Sequence, residues 1–240
     1  MEQKPTIEVV LAPGLYKSKL TKEPFNVVIV DIFRATTSIC GALDYGIKAI
    51  IPVKRIRHAR FMKRLGYIVA AERNGHKVRF AHIGNSATAF FKPEFKGKEI
   101  VYSTTNGTKA IKRADKAKKI IIGSFINLGA VAKWLADDNK NVVIFCAGWK
   151  NKVNMEDSLF AGALSEILMS EYGFVTDDDS TTMSIDQWRK AKENIIEYIE
   201  QSSHRRRLRN LVDEELLKYT FSIDISQVVP VVKGYKVVAE

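Results

Sequence analysis

The stretch 27–38 constrains the fold of this chain more than any other part of the sequence. Residues 27–30 are an unbroken run of valine and isoleucine, which is typical of a strand buried on both faces of a sheet. The run ends in Asp31 and Arg34, and apolar residues then recur at helical spacing over 39–47. This predicts a buried strand that delivers polar groups to the start of a helix, where open α/β sheets bind their ligands.

Two interpretations of these polar groups remain open from the stretch alone. Thr36, Thr37 and Ser38 can cap the helix and leave its first N–H groups facing an anion. Alternatively, Asp31 and Arg34 form a structural ion pair, and the threonines only cap the helix. Both interpretations place the same side chains at the end of the strand.

The order of strand, polar loop and helix recurs three more times. We predict strands at 99–103, 119–122 and 142–145, each followed by small polar residues and a helical apolar pattern. The polar residues that follow these strands are Thr104, Thr105, Asn106, Gly107, Thr108, Ser124, Asn127, Glu156 and Asp157. Four such units predict a three-layer α/β/α fold with a mostly parallel or mixed sheet and an active site at the C-terminal ends of its strands.

The rest of the chain supplies further strands and a helical segment. Strands are predicted at 7–11, 49–53 and 67–71, and a hairpin-like pair is predicted at 228–238. The spacing of apolar residues predicts one long helix over 185–199, and we expect the helical segment 174–212 to cover the sheet or the site. Because no strong linker divides the chain, we predict a single α/β domain over 1–240.

The chain is strongly basic, with 38 Lys and Arg against 27 Asp and Glu and a net charge of +11. Such a balance is compatible with nucleic acid, anionic lipid or small polyanions as partners. The densest basic stretch, 54–65, has Ile56, Phe61 and Leu65 compatible with one helical face, which favours a solvated crossover helix over a nucleic-acid surface. No apolar run approaches membrane-spanning length, and residues 1–15 lack a signal-peptide pattern. We therefore expect a cytoplasmic protein that binds neither nucleic acid nor membrane.

The carboxylates at the strand ends suggest metal-assisted phosphate chemistry. Hydrolysis of a phosphate ester requires neutralisation of the phosphoryl oxygens, and Mg²⁺ prefers carboxylate ligands. Asp31, Glu156 and Asp157 are the candidate metal ligands, although acids in the first turn of a helix also complement its dipole. Asp31 is alternatively a covalent nucleophile. A haloacid-dehalogenase-type site is disfavoured, because Phe33 stands where a second aspartate is needed.

Two other kinds of phosphate chemistry are excluded by the sequence. A cysteine phosphatase needs an arginine six residues after its nucleophile, and the residues there are Lys152 after Cys146 and Gly46 after Cys40. No Walker-type nucleotide motif occurs. The loop 104–108 is short for a nucleotide but suits a single phosphate or sulfonate, through its hydroxyls and backbone N–H groups.

Eight short motifs occur in the order found in one known family. They are residues 30–37, 72–75, 84–86, 104–108, 123–127, 146–148, 156–162 and 203–208. With these motifs the chain resembles the magnesium-dependent 2-phosphosulfolactate phosphatases of coenzyme M biosynthesis over nearly its whole length. Three departures are visible. His82 and Ala87 replace an aspartate and a proline of the family, and residues 149–154 replace a glycine-rich stretch.

The resemblance implies a function and a set of site residues. The expected reaction is magnesium-dependent hydrolysis of 2-phospho-3-sulfolactate to 3-sulfolactate and phosphate. The alternatives are a phosphatase for another small phosphorylated carboxylic acid and a non-catalytic anion-binding protein of the same fold. The implied catalytic residues are Asp31, Arg34 and His204. The implied metal ligands are Asp31, Glu156 and Asp157.

The resemblance and the polar loops together imply how the substrate is held. The expected substrate is a small anionic phosphorylated molecule, and a homo-oligomeric state is left open. The implied substrate-binding residues are Thr36, Thr37, Arg73, Asn85, Ser86, Thr104, Thr105, Asn106, Gly107, Thr108, Ser124 and Asn127.

Overall fold

The computed structural model describes residues 4–19, 24–73, 75–104 and 106–240. Within these residues, ten strands and nine α-helices are assigned. The strands are β1 (Ile7–Val10), β2 (Phe25–Val30), β3 (Ala49–Pro52), β4 (Ile68–Arg73), β5 (His76–Lys77), β6 (Glu99–Ser103), β7 (Lys119–Gly123), β8 (Asn141–Cys146), β9 (Pro230–Lys233) and β10 (Lys236–Ala239). The helices are α1 (Ala35–Asp44), α2 (Ile56–Arg64), α3 (Gly107–Arg113), α4 (Leu128–Asp138), α5 (Met155–Tyr172), α6 (Asp179–Ala191), α7 (Ile195–Ile199), α8 (Ser203–Leu208) and α9 (Glu214–Phe221).

All ten strands join one mixed sheet in the order β1-β8-β2-β7-β9-β10-β3-β6-β4-β5. Strands β1, β8, β2 and β7 form one parallel group, and β3, β6 and β4 form a second. The hairpin of β9 and β10 lies between the two groups and pairs antiparallel with β7 and with β3. The predicted α/β class with a mixed sheet is therefore confirmed, and the hairpin predicted at 228–238 lies in the middle of the sheet.

Strand β2 shows why the valine-rich run is buried on both faces. All six of its residues are buried, and successive side chains point to opposite faces of the sheet. Val28 and Val30 pack in a cluster with residues of α4 and α5, whereas Val27 and Ile29 pack with residues of α1. Helices therefore cover both faces of the sheet, as in the predicted three-layer arrangement.

The basic stretch 54–65 forms helix α2, but the predicted apolar face is wrong. Phe61 and Leu65 are more than half exposed. The face against the sheet is formed by Ile56, Ala59 and Met62, which pack with residues of β4 and β6. Side chains three positions apart share one side of the helix, and this set of smaller or more flexible side chains is the one that meets the sheet.

The single long helix predicted over 185–199 is also wrong, because the structure has two helices there. Helix α6 ends at Ala191, and α7 begins at Ile195. The side chain of Asn194 accepts a hydrogen bond from the Glu197 backbone N–H and so starts a new helix. The apolar stripe continues across the break, so the spacing alone did not reveal it.

Helix α6 lies very close to α5. A Cβ atom placed on Gly162 of α5 would lie 2.0 Å from the backbone oxygen of Ser184 in α6, so only glycine permits this approach. In the part of the chain that the structure describes, no helix combines the length and the apolar character needed to cross a membrane.

Candidate active site

A cavity of about 270 Å³ opens beyond the C-terminal ends of β2, β6 and β8, beside helix α8. We call it the reaction cavity. The residues that line it are Asp31, Phe33, Arg34, Ala35, Glu72, Gly75, Asn85, Thr104, Asn106, Trp149, Lys150, His204, Arg207 and Leu208. Asp31 follows β2, Thr104 follows β6, Trp149 lies beyond β8, and His204 lies in α8. Segments far apart in the sequence thus supply one set of polar side chains.

Buried carboxylates gather at this cavity. Asp31 and Glu72 line it and are 5% and 4% exposed, and Glu156, which is not among its lining residues, is fully buried and close enough to act on the charge of Asp31. Burial raises the pKa of Asp31 to about 6, with nearby Glu72 and Glu156 acting in the same direction and His204 opposing them. The cluster therefore concentrates negative charge in a place that water barely reaches, and such a group is stabilised by a cation.

Glu156 orients the imidazole of His204. Nδ1 of His204 and Oε1 of Glu156 form a hydrogen bond, and both side chains are buried. The Ser202 hydroxyl accepts hydrogen bonds from the backbone N–H groups of His204 and Arg205, which starts helix α8 at this position. The Oε2 atom of Glu156 is buried without a hydrogen-bond partner in the described residues. A buried carboxylate oxygen in that state favours a bound cation or proton.

Asp157 is held differently from its neighbour. Its Oδ1 atom accepts a hydrogen bond from the Ile32 N–H at 2.9 Å, and its Oδ2 atom accepts one from the Gly148 N–H at 3.1 Å. Burial and the nearby charge of Glu156 raise its pKa well above the usual range, while these two bonds oppose the rise. Asp157 thus ties the start of α5 to the loops after β2 and β8.

The two predicted arginines occupy different places. Nη2 of Arg34 donates to the Gly75 carbonyl at 2.8 Å and Nη1 to the Leu211 carbonyl at 3.5 Å, so its guanidinium is fixed at the wall of the reaction cavity. Arg73 donates to the Ser103 hydroxyl at 3.1 Å and does not appear among the residues lining the reaction cavity.

Some of the predicted hydroxyl and amide residues line the reaction cavity and others do not. Asn85, Thr104 and Asn106 line the reaction cavity. Gly107 lies directly beside Asp31, because a Cβ atom on it would lie 3.1 Å from Oδ2 of Asp31. Thr108 hydrogen-bonds to Thr104. Thr105 lies outside the described residues.

Other predicted substrate-binding residues support the backbone. The hydroxyl of Thr36 accepts from the Asp31 N–H at 3.1 Å, and that of Thr37 donates to the Ile32 carbonyl at 3.0 Å. The Ser86 hydroxyl lies 2.9 Å from that of Thr88. These groups hold the turn and loop around the cavity in shape.

Ser124 and Asn127 form a reciprocal cap after β7. Oδ1 of Asn127 accepts from the Ser124 backbone N–H at 3.0 Å, and its Nδ2 donates to the Val228 carbonyl at 2.9 Å. Both side chains are fully buried and are not among the described residues lining the reaction cavity. Their hydrogen bonds are thus used within the protein.

Eight of the described lining residues were absent from the predicted set, and four of them carry a charge or an indole ring: Glu72, Trp149, Lys150 and Arg207. The Arg207 guanidinium carbon lies 3.6 Å from the centre of the Trp149 ring, and Nζ of Lys150 lies 4.4 Å from it. Glu72 and Arg207 fall inside the motifs 72–75 and 203–208, so the family motifs could have identified both as site residues. Trp149 and Lys150 stand where the family has glycine-rich sequence, and only the structure brings them to the cavity.

The donor set at the reaction cavity fits Mg²⁺ with few protein ligands. Among the described residues, no three His, Cys, Asp or Glu side chains converge closely enough to hold one metal ion. Mg²⁺ is commonly held by one or two carboxylates, with water and substrate phosphate completing its octahedron. The partnerless Oε2 atom of Glu156 and the carboxylate of Asp31 are oxygen donors of the required type.

The layered sheet makes this an α/β protein with a polar cavity at its strand ends, and the family match makes it a phosphoric monoester hydrolase. The chain belongs to the family described as 2-phosphosulpholactate phosphatase, whose sequence model matches residues 11–235. The family resemblance stated from the motifs is therefore confirmed.

Individual relatives agree with the family match. The probable 2-phosphosulfolactate phosphatase of Caldanaerobacter subterraneus subsp. tengcongensis is 35% identical over 213 residues, which cover 87% of this chain and 88% of the relative. The protein of the same description from Thermotoga maritima is 33% identical over 225 residues, covering 93% and 94%. That from Caldicellulosiruptor saccharolyticus is 33% identical over 204 residues, covering 82% and 84%.

Proposed function

We propose that this protein hydrolyses 2-phospho-3-sulfolactate to 3-sulfolactate and phosphate with the help of Mg²⁺, as a step of coenzyme M biosynthesis. The observation that carries the proposal is the meeting of three groups at one small cavity: buried carboxylates, a histidine oriented by Glu156, and cationic side chains. The descriptions of the relatives name the same substrate. The substrate carries several negative charges, which matches a cavity lined by Arg34, Lys150 and Arg207.

Asp31 and Glu156 are the residues that would hold the metal ion. A bound Mg²⁺ supplies Lewis-acid polarisation of the phosphoryl group and lowers the pKa of a bound water. Both oxygens of Asp157 already accept backbone hydrogen bonds, so its role is to position the start of α5. Glu72 contributes further negative charge beside Asp31, and its Oε2 atom accepts a hydrogen bond from the Gly75 N–H at 2.7 Å.

His204 is the proton donor in this proposal. When the phosphorus–oxygen bond of the ester breaks, the leaving alkoxide needs a proton. The hydrogen bond from Nδ1 to Glu156 fixes the ring and leaves Nε2 as the nitrogen that delivers this proton. The contribution of Glu156 to this step is to hold the imidazole in one orientation.

Arg34 and Arg207 are the phosphate-binding cations in this proposal. Arg34 is fixed by the Gly75 and Leu211 carbonyls before any ligand binds, so little side-chain entropy is lost on binding. Arg207 lies against the Trp149 ring, which holds it in place without neutralising its charge. Preorganised cations of this kind stabilise the charge of a phosphoryl group in its transition state.

Phosphate release from purified protein tests the proposal. We expect release from 2-phospho-3-sulfolactate with Mg²⁺ and none after treatment with a chelator, whereas the His204→Asn variant should be strongly impaired. A panel containing 2-phospholactate and 3-phosphoglycerate identifies an enzyme for another phosphorylated acid. If no compound of the panel releases phosphate under either condition, the proposal fails and the alternative of an anion-binding protein of this fold is favoured.

A further inference from the structure

A second cavity of about 360 Å³ adjoins the reaction cavity. It is lined by Lys109 and Arg113 of α3, together with Pro13, Ala110, Ala147 and Asn151, and it shares Asn106 and Lys150 with the reaction cavity. We call it the cationic cavity. The two cavities therefore meet along a common wall formed by one amide and one ammonium group.

The charge around the cationic cavity has one sign. Three cations face it, and no Asp or Glu is among the described residues that line it. In the described part of the chain, Lys109, Arg113 and Lys150 have no ion pair with a carboxylate. Lys109 and Arg113 are four residues apart on α3 and so repel each other across one helix face. A cleft that collects unneutralised positive charge raises the local concentration of anions.

The loop that supplies Lys150 is rigidly shaped. Trp149 and Lys152 form an antiparallel bridge, and the two residues between them, Lys150 and Asn151, both have positive φ values, of 51° and 60°. This is the geometry of a tight two-residue hairpin turn. Gly148 permits the turn, because a Cβ atom on it would lie 2.3 Å from the Lys152 carbonyl oxygen. The turn thus fixes the Lys150 backbone between the two cavities, and the exposed side chain lies over the Trp149 ring.

We propose that the cationic cavity binds the sulfonate group of the substrate while the phosphate occupies the reaction cavity. This inference rests on the proposed function and assigns a specificity role to Lys109 and Arg113. A sulfonate is a tetrahedral oxyanion that stays charged at all physiological pH values, so cations that approach from different sides can all contact it. In the proposed function Arg34 and Arg207 contact the phosphate, so the neighbouring cavity, with Lys109 and Arg113 and no acid among its described lining residues, is the place left for the sulfonate.

Calorimetric binding of 3-sulfolactate and of lactate tests the assignment without any turnover. Wild type should bind sulfolactate at least about tenfold more tightly than lactate, as for loss of one charge-assisted contact. The double variant Lys109→Gln/Arg113→Gln should lose this preference and bind both compounds alike. Lys112→Gln is the matched control and should behave as wild type, because Lys112 is exposed on the same helix, as Lys109 and Arg113 are, but lines neither cavity.

Inorganic sulfate distinguishes the sulfonate of the ligand from a free anion. If the sulfonate occupies the cationic cavity, sulfate competes with sulfolactate and the double variant binds sulfate more weakly. Simultaneous binding of sulfate and sulfolactate that is lost in the double variant assigns the cavity to a free ion and overturns the proposal, because sulfate at the phosphate site does not depend on Lys109 or Arg113. Equal binding of lactate and sulfolactate by wild type overturns it too, as does weakened lactate binding in the double variant, which assigns the cavity to the carboxylate.

Kinetics separate this inference from the proposed function. In an active enzyme, the double variant should raise KM for 2-phospho-3-sulfolactate by about tenfold or more and leave kcat nearly unchanged, because the lost contact is remote from the reacting bond. KM for 2-phospholactate should not change. If wild type releases no phosphate but still prefers sulfolactate over lactate, the proposed function fails and the sulfonate site stands.

Discussion

Nδ1 of His204 is hydrogen-bonded to Oε1 of Glu156, although the two residues are 48 positions apart in the chain. Helix α5 brings the carboxylate and α8 brings the imidazole, and both side chains are buried at the meeting point. The second oxygen of Glu156 is without a hydrogen-bond partner in the described residues. One carboxylate therefore has two tasks, since it orients a proton donor and offers a free oxygen to a cation.

Replacing His204 with asparagine should remove the proton donor and keep the protein folded. We expect kcat for phosphate release to fall by about 10²–10⁴-fold, the usual contribution of a general acid. The loss should shrink for substrates with a good leaving group, such as an aryl phosphate, because these need less protonation. His58→Asn on exposed helix α2 is the control. Equal losses for good and poor leaving groups would contradict an acid role.

Replacing Arg34 with lysine should impair the enzyme although the charge is kept. An ammonium group cannot reproduce the paired contacts that the guanidinium makes with the Gly75 and Leu211 carbonyls while also contacting a phosphate. We expect kcat/KM to fall at least about tenfold, and further in Arg34→Ala. Steady-state kinetics with Arg57→Lys as a surface control checks this. Near wild-type kinetics for both Arg34 variants would make Arg34 a structural residue.

Asp31→Asn separates a metal ligand from a nucleophile. The substitution keeps the size of the side chain but removes its charge, so we expect a folded protein whose activity is lower by several orders of magnitude. If Asp31 binds Mg²⁺, higher Mg²⁺ concentrations should restore part of the activity. If Asp31 is a nucleophile, added Mg²⁺ restores nothing, and wild type can accumulate a hydroxylamine-sensitive phosphoprotein. Full activity in the variant would remove Asp31 from both roles.

The stability of the metal-free protein should depend on pH through Asp31. Its pKa is about 6 in the folded chain against 3.8 for an ordinary aspartate, so between these values the folded state holds a proton that the unfolded state has lost. The free energy of unfolding should therefore fall as pH rises through this window, by about 3 kcal/mol from this group. When a chelator removes metal ions, the free energy of unfolding of Asp31→Asn should fall less with rising pH than that of wild type, because this contribution is missing. Urea unfolding of both proteins at pH 4 and pH 7 measures it, and identical declines would contradict the prediction.

Gly162→Ala should destabilise the fold. Its added Cβ would lie 2.0 Å from the Ser184 carbonyl oxygen, so α5 and α6 must move apart. We expect a loss of about 1–3 kcal/mol, as for other overpacked interiors. Gly14→Ala is the matched control, because nothing lies within 4 Å of the added atom there. Thermal unfolding with similar midpoints for the two variants would show that the helices adapt without cost.

The fold was largely predictable because a buried strand has a recognisable pattern of apolar residues in its own sequence. The valine and isoleucine runs of β2, β7 and β8 are each buried on both faces, and this pattern needs no knowledge of the partners. Pairing order was not predictable in this way. Nothing in residues 230–239 shows that their hairpin lies between the two parallel groups, because that position depends on which edges remain open after the other strands have paired.

The site was only partly predictable, for a related reason. Asp31 and Asn106 follow strands whose ends open on the cavity. Ser124 also follows a strand, but there Asn127 accepts a hydrogen bond from the Ser124 backbone N–H and caps the next helix. The same residue types at the same kind of strand end thus have different uses. Lys150 reaches the cavity through a backbone turn that the sequence around it does not signal. A cytoplasmic location, a single domain and a homo-oligomeric state stay predictions.

The place of the β9–β10 hairpin has a consequence for synthesis of the chain. These are the last two of the ten strands to leave the ribosome, yet they form the only described pairings between the two parallel groups. Until they emerge, β7 and β3 each have one unpaired edge, and the two groups have no strand between them. Open edges of this kind pair readily with other chains. The nascent protein is therefore most exposed to aggregation before this hairpin emerges, when the other eight described strands are already present.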